Sequence, residues 1–275
     1  MQLSLLETDF WIGGALRAAG MPYGALGPAI RMVQWREAYH GEGCSALLAR
    51  CREPLDCDAA SIEISAEDAA STTIDGRGQS ALLIGPGALD LAMAKAERQQ
   101  NGLARLRETA DLQWLPALAD TAARRGFTTV VTYQAEKGSA VLALPGSADD
   151  GLWWMQMACA TPLHDRLMNG APLPGFAEMG RTLATRGDGQ SKGAALLCLK
   201  LSPAEQNQLR QMPIMLGQAA GAHILTPGAY AARRQAVLQE GFDVDDAVWQ
   251  ALSTLALTTV IEGSETSRLQ AGADG

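Results

Sequence analysis

Three histidines stand in the 275 residues, at positions 40, 164 and 223. His40 lies in Tyr39-His40-Gly41, where a helical pattern runs out at a glycine. An imidazole titrates near pH 6.5, so it can pass a proton to or from a substrate oxygen at neutral pH. The same ring at a helix end can instead hydrogen-bond a terminal carbonyl. The residues alone leave both readings open. His164 and His223 have no supporting neighbours in the sequence. Metal chemistry finds no support: His40 and Cys44 are four apart, but no second His/Cys pair completes a ligand set. The five cysteines (Cys44, Cys51, Cys57, Cys159, Cys198) are odd in number and form no CxxC, so they read as reduced thiols.

Two other stretches invite a chemical reading. Gly85-Pro86-Gly87 after an apolar run resembles the start of a phosphate-binding turn. Asp90 stands where the third glycine belongs and would repel a pyrophosphate. The expectation is therefore a buried strand at Ala81–Ile84, then a turn, with Pro86 opening a helix. No serine sits in a GxSxG elbow. Trp153-Trp154 on an apolar run reads as core and interface rather than a ligand platform.

The elements that must position these groups follow from the pattern. Ser4 and Glu7 form a capping box for a first helix that Gly20 ends. A second helix runs from about Ala25 to Tyr39 and stops at Gly41, and a third covers Ser45 to Arg52. Residues 54–77 are polar and read as a loop with one short strand at Ser61–Ile64. Leu115–Arg125 reads as a helix stopped by Gly126. Phe127–Tyr133, Ala140–Leu144 and Leu152–Met157 read as strands. Gly170–Gly189 reads as irregular, and Gly193–Lys200 as strand or helix. Ser202 and Glu205 form a second capping box, and Asp243 caps a last helix through Leu257. The class is α/β, with a helical portion at about 1–53 and an α/β core at about 60–275 in a single domain.

Composition narrows the function. The net charge of −8 and the lack of basic clusters argue against a nucleic-acid surface. No apolar run approaches the roughly 20 residues that span a bilayer. The start MQLSLLETDF lacks a basic n-region, so the cytoplasm is the expected location.

Scattered segments, in order, resemble the malate/L-lactate/sulfolactate dehydrogenase family, the non-Rossmann NAD(P)-dependent 2-hydroxy-acid dehydrogenases. Tyr39-His40-Gly41 is similar to the family's Ser-His-Gly. GALDLAMAKAERQQNGLARLRETADLQ resembles the stretch that carries RNSNHFG in the family. EKGSAVLALPG, LWWMQMACATP, Gly189-Gln190-Ser191-Lys192-Gly193 and ILTPGAYAARRQAVLQEGFDVDDAVWQAL match later family motifs.

The resemblance implies a mixed sheet flanked by helices, with the C-terminal helix packed back onto the N-terminal helical portion. It implies NAD or NADP as coenzyme, a small 2-hydroxy or 2-oxo acid or related carbonyl compound as substrate, and a homodimer. It makes His40 the acid/base and aligns Asp111 with the family's second histidine. It places Lys137, Gly138, Ser139, Lys192 and Gly193 at the coenzyme. The chain departs from the family at several of these points. Tyr39 replaces the serine, Ser191 replaces a histidine, and the carboxylate-clamping arginine after His40 is absent. Arg50 and Arg52 are the substitutes the sequence offers. A catalytically silent homologue, acting as a binding or regulatory partner, is therefore the alternative.

Overall fold

A computed structural model describes residues 1–55, 57–134, 139–145, 153–157, 161–170, 191–209 and 223–259. Eight strands form one mixed sheet: β2 (Glu63–Glu67), β3 (Ser71–Asp75), β4 (Asn101–Arg107), β5 (Thr128–Tyr133), β6 (Ser139–Leu144), β7 (Trp153–Met157), β8 (Ala194–Leu199) and β9 (His223–Leu225). Their order is β2-β3-β4-β8-β5-β6-β7-β9. Among the described strands, only β3 and β4 pair in parallel. The central strands β5 and β8 are buried at every position, as expected for strands covered on both faces.

Alternation along the strands divides the core. Leu106, Val131, Tyr133, Trp154 and Leu196 face one layer, made of α1 (Leu5–Ala18), α2 (Tyr23–His40), α3 (Gly43–Arg50), α4 (Ala81–Gln99) and α5 (Pro116–Arg124). Leu103, Val130, Leu142, Met155 and Leu197 face the other, which holds α6 (Thr161–Met168) and Leu209. Each fully buried aliphatic side chain here contributes about 1.5–3 kcal/mol.

Two further helices close the fold, α7 (Pro227–Glu240) and α8 (Asp246–Leu257). The expected return of the C-terminal helix holds. Trp11 and Trp249 meet edge to face at 5.5 Å, and a β-carbon added at Gly14 would lie 2.6 Å from Ala256 Cβ. The small strands β1 (Gln2–Leu3) and β10 (Phe242–Asp243) pair antiparallel at the same end.

The first three helices form as expected. Ser4 and Glu7 make the reciprocal capping box, and Gly41 ends α2 in the left-handed region at φ 66°. Four expectations are corrected. Residues 81–99 are one helix, not a strand, a turn and a helix. Ser80 caps it, and burial of Leu82, Ile84, Leu89 and Ala92 offsets a proline that costs ~3 kcal/mol inside a helix. A β-carbon at Gly85 would lie 2.9 Å from Leu118 Cδ1, so this glycine serves helix packing, not phosphate. Residues 63–75 form a β-hairpin where a loop with one strand was expected; Asp68 accepts from the Ala70 and Ser71 amides at its turn. The helix over 161–168 and the strand β4 were not foreseen. Asp245, not Asp243, caps α8, by accepting from the Ala247 and Val248 amides.

Candidate active site

His40 is the last residue of α2. Three contacts fix that end. Glu37, 5 % exposed, reaches forward to accept the Cys44 amide at 2.7 Å, which ties the start of α3 to α2. Arg233 of α7 donates to the Ala38 carbonyl at 2.5 Å. Tyr39 stacks on Tyr230 of the same helix, with centroids 4.2 Å apart. Burial pushes the Tyr39 hydroxyl up to about 12.

The His40 ring does not cap its helix. The Gly41 amide closes the last turn on the Glu37 carbonyl, and His40 makes no hydrogen bond among the described residues. The half-buried imidazole packs among rings instead: Trp35 at 5.4 Å, Trp154 at 5.7 Å and His223 at 6.3 Å between centroids. Its pKa lies below the ordinary 6.5, first because burial penalises the cation, then because Arg36 and His223 stand nearby. The ring is therefore neutral at pH 7 and has both nitrogens available.

Two buried donors on residues around this end of α2, Arg36 Nε and Trp154 Nε1, have no acceptor among the described residues. The other nitrogens of Arg36 are engaged: Nη1 donates to the Gln113 carbonyl at 3.0 Å and Nη2 to Glu42 at 2.8 Å. Buried donors without partners are rare, and each left unpaired costs about 1–3 kcal/mol.

Asp111 stands on the loop after β4, in the left-handed region at φ 59°. Its carboxylate accepts from Arg50 Nε at 2.8 Å, and both side chains are largely shielded, at 13 % and 23 % exposure. Arg50, one of the two substitutes for the missing clamp, is thereby committed to an internal partner. Arg36, one helical turn before His40, is the guanidinium that accompanies the imidazole. Sequence reasoning missed it, although its spacing of four on a helix was the available signal.

The coenzyme stretch divides. Lys137 and Gly138 lie outside the described residues, and Ser139 begins β6. Lys192 is exposed just before β8. β8 is three strand spacings, about 14 Å, from β7, which carries Trp154. Gly193 has φ +99°, and a β-carbon there would fall 2.1 Å from the Leu106 carbonyl. Close approach of β8 to β4 thus explains this glycine without a ligand. Of the described residues, Lys192 suits a coenzyme diphosphate by charge.

His164 and His223 gain the neighbours the sequence did not reveal. His223 joins the His40 cluster. His164 is 5 % exposed and sits between Thr132 Oγ1 at 2.9 Å and the Ser191 carbonyl at 3.0 Å. A carbonyl cannot donate, so Nε2 carries the proton there and Nδ1 accepts from Thr132. Asp165 accepts the Ser191 amide at 2.9 Å. The strand that follows Lys192 is thus anchored on α6.

No family model matches the sequence, and no curated protein is similar to it. Solved structures are similar over nearly the whole chain. Malate dehydrogenase from Pyrococcus horikoshii is 14% identical, covers 96% of this chain and 97% of its own, and superposes with a TM-score of 0.63. Sulfolactate dehydrogenase from Methanocaldococcus jannaschii is 16% identical, with 94% and 97% covered and a TM-score of 0.57. Delta1-piperideine-2-carboxylate reductase from Pseudomonas syringae is 11% identical, with 93% and 99% covered and a TM-score of 0.61. The chain has the malate/lactate dehydrogenase fold.

Proposed function

We propose that this chain is a divergent oxidoreductase of the malate/L-lactate/sulfolactate dehydrogenase family. It acts with NAD or NADP on a small 2-hydroxy or 2-oxo acid or a related carbonyl compound, and His40 moves the proton at the substrate oxygen. The observation that carries this reading is a half-buried imidazole with no hydrogen bond among the described residues, in ring contact with Trp154, whose buried Nε1 has no acceptor there. Lys192 would hold part of the coenzyme, whose chemistry when bound would be hydride transfer. The chain's own part is electrostatic and positional. Arg36 and Trp154 donate to a substrate carbonyl or carboxylate, the Trp35 and Trp154 rings exclude water, and neutral His40 accepts a hydroxyl proton. A homodimer, as the family resemblance implies, and a cytoplasmic location belong to this proposal.

A second reading has its own observation. Where the resemblance aligns a second histidine, Asp111 is locked to Arg50. A partly buried ion pair there favours a scaffold that has lost the ancestral reaction and serves as a binding or regulatory partner.

Titration with NADH and NADPH, followed by fluorescence of the six tryptophans, separates the two. Coenzyme binding, with turnover in a screen of 2-oxo acids, neutral ketones and imines, supports the oxidoreductase. Absence of both supports the silent homologue.

A further inference from the structure

A cleft of about 380 Å³ opens between α2, α4 and α5 and shares Trp35 with the His40 cluster. That volume lies within the roughly 300–1,000 Å³ of small-molecule sites. Its wall is apolar, made by Pro28, Met32, Trp35, Leu89 and Leu118. Its rim is charged. Arg31, Arg124 and Arg125 stand against Asp90 and Asp120, an excess of one positive charge in a chain whose net charge is −8.

The guanidinium groups are unequally occupied. Arg125 Nη1 is 2.8 Å from Asp90, and Arg124 Nε is 2.9 Å from Asp120. Arg31 has no hydrogen-bond or ionic partner among the described residues. Asp120 also accepts from the Tyr230 hydroxyl at 2.8 Å, whose oxygen accepts from Trp35 Nε1 at 2.7 Å. The acids of the rim are therefore satisfied, and the unused donors belong to the arginines.

We propose that this cleft binds a small amphipathic monocarboxylate, with its apolar body against Trp35 and Leu118 and its carboxylate on Arg31 and the free Nη groups of Arg124. One negative charge matches the local excess, and the planar guanidinium suits a carboxylate in bidentate contact. The apolar wall distinguishes this ligand from a plain inorganic anion. The site does not depend on the dehydrogenase reading, since it needs neither coenzyme nor His40.

Calorimetric titration of the full chain, without coenzyme, tests it with 4-phenylbutyrate, 4-phenylbutan-1-ol and inorganic phosphate. The carboxylate should bind at least tenfold more tightly than the alcohol or phosphate. Arg31→Gln, at an exposed position, should weaken it by about tenfold. Asp90→Asn, which releases Arg125, should tighten it several-fold. Equal binding of acid and alcohol would refute recognition by charge. Equal binding of phosphate would refute the apolar subsite. No binding of the carboxylate, or no effect of Arg31→Gln in a protein with unchanged melting, would overturn the proposal.

Discussion

His40 and His223, from the end of α2 and the start of β9, face each other with ring centroids 6.3 Å apart, and Trp154 packs against both. Burial does most to disfavour protonation of His40, and the nearby Arg36 and His223 add to it. His223→Asn removes one of the causes that lower the His40 pKa, so that pKa should rise toward 6.5. Arg36→Gln should raise it as well, because it removes a cation near the ring. NMR titration of the imidazole Cε1–H resonances reads both. An unchanged His40 midpoint in either variant would show that burial alone sets it.

The same imidazole gives the activity test. His40→Asn should lower any dehydrogenase turnover by about 10²–10⁴-fold. The ring makes no hydrogen bond among the described residues and does not cap α2, so melting should barely move. Coenzyme affinity should also stay constant, because Lys192 lies away from His40. A variant that melts far lower, with activity tracking the folded fraction, would make His40 a packing residue.

Asp111 can be dissected by two substitutions. Asp111→Asn removes the charge opposite Arg50 and keeps a side chain that tolerates φ 59°. The pair is partly shielded, so the loss should fall between that of an exposed pair and a buried one, about 1–3 kcal/mol in urea denaturation. Asp111→Ala should cost about 1 kcal/mol more, because alanine resists the left-handed region. Equal stability of Asp111→Asn and the parent protein would show that the ion pair contributes nothing net. It would also weaken the case for a structural role at this position.

Helix ends and buried strands were legible in the sequence because local chemistry writes them there. The Ser4–Glu7 box, the Gly41 stop and the apolar runs of β5 to β7 needed no tertiary information. The Gly85-Pro86-Gly87 reading failed because proline and glycine are strong local breakers, and burial of the α4 face overrode them. The hairpin at residues 63–75 was hidden because β3, Ser71-Thr72-Thr73-Ile74-Asp75, carries one large apolar residue although its centre is buried. At the site, His40 was visible from its place before a glycine. Its partners were not. His223 and Trp154 come from distant strands, and only the sheet order β6-β7-β9 brings them to the end of α2. The commitment of Arg50 to Asp111 likewise depends on a loop turning back 61 residues later.

His164 sets the expected response to acid. Its folded pKa is lowered from 6.5, first by burial, while the Ser191 carbonyl and Asp165 partly oppose the shift. The unfolded chain therefore binds the proton more readily than the folded one. Stability that is complete above about pH 6.5 is lost as pH falls toward the lowered folded value, and flattens below it. His40 contributes with the same sign. The exposed carboxylates with lowered values, Glu7, Asp68 and Glu205, start from 3.8 to 4.5 and act at lower pH. Between pH 7 and 5 the histidines should dominate, each with a limiting slope of about 1.4 kcal/mol per pH unit. His164→Asn should lower stability at pH 7, because the Thr132 and Ser191 contacts lose their shared partner. It should also flatten the slope, because the titrating group is gone. Urea denaturation at half-unit pH steps measures both. A variant with the parent slope would place the acid sensitivity elsewhere, and a parent protein more stable at pH 5 than at pH 7 would reverse the sign assigned to both histidines.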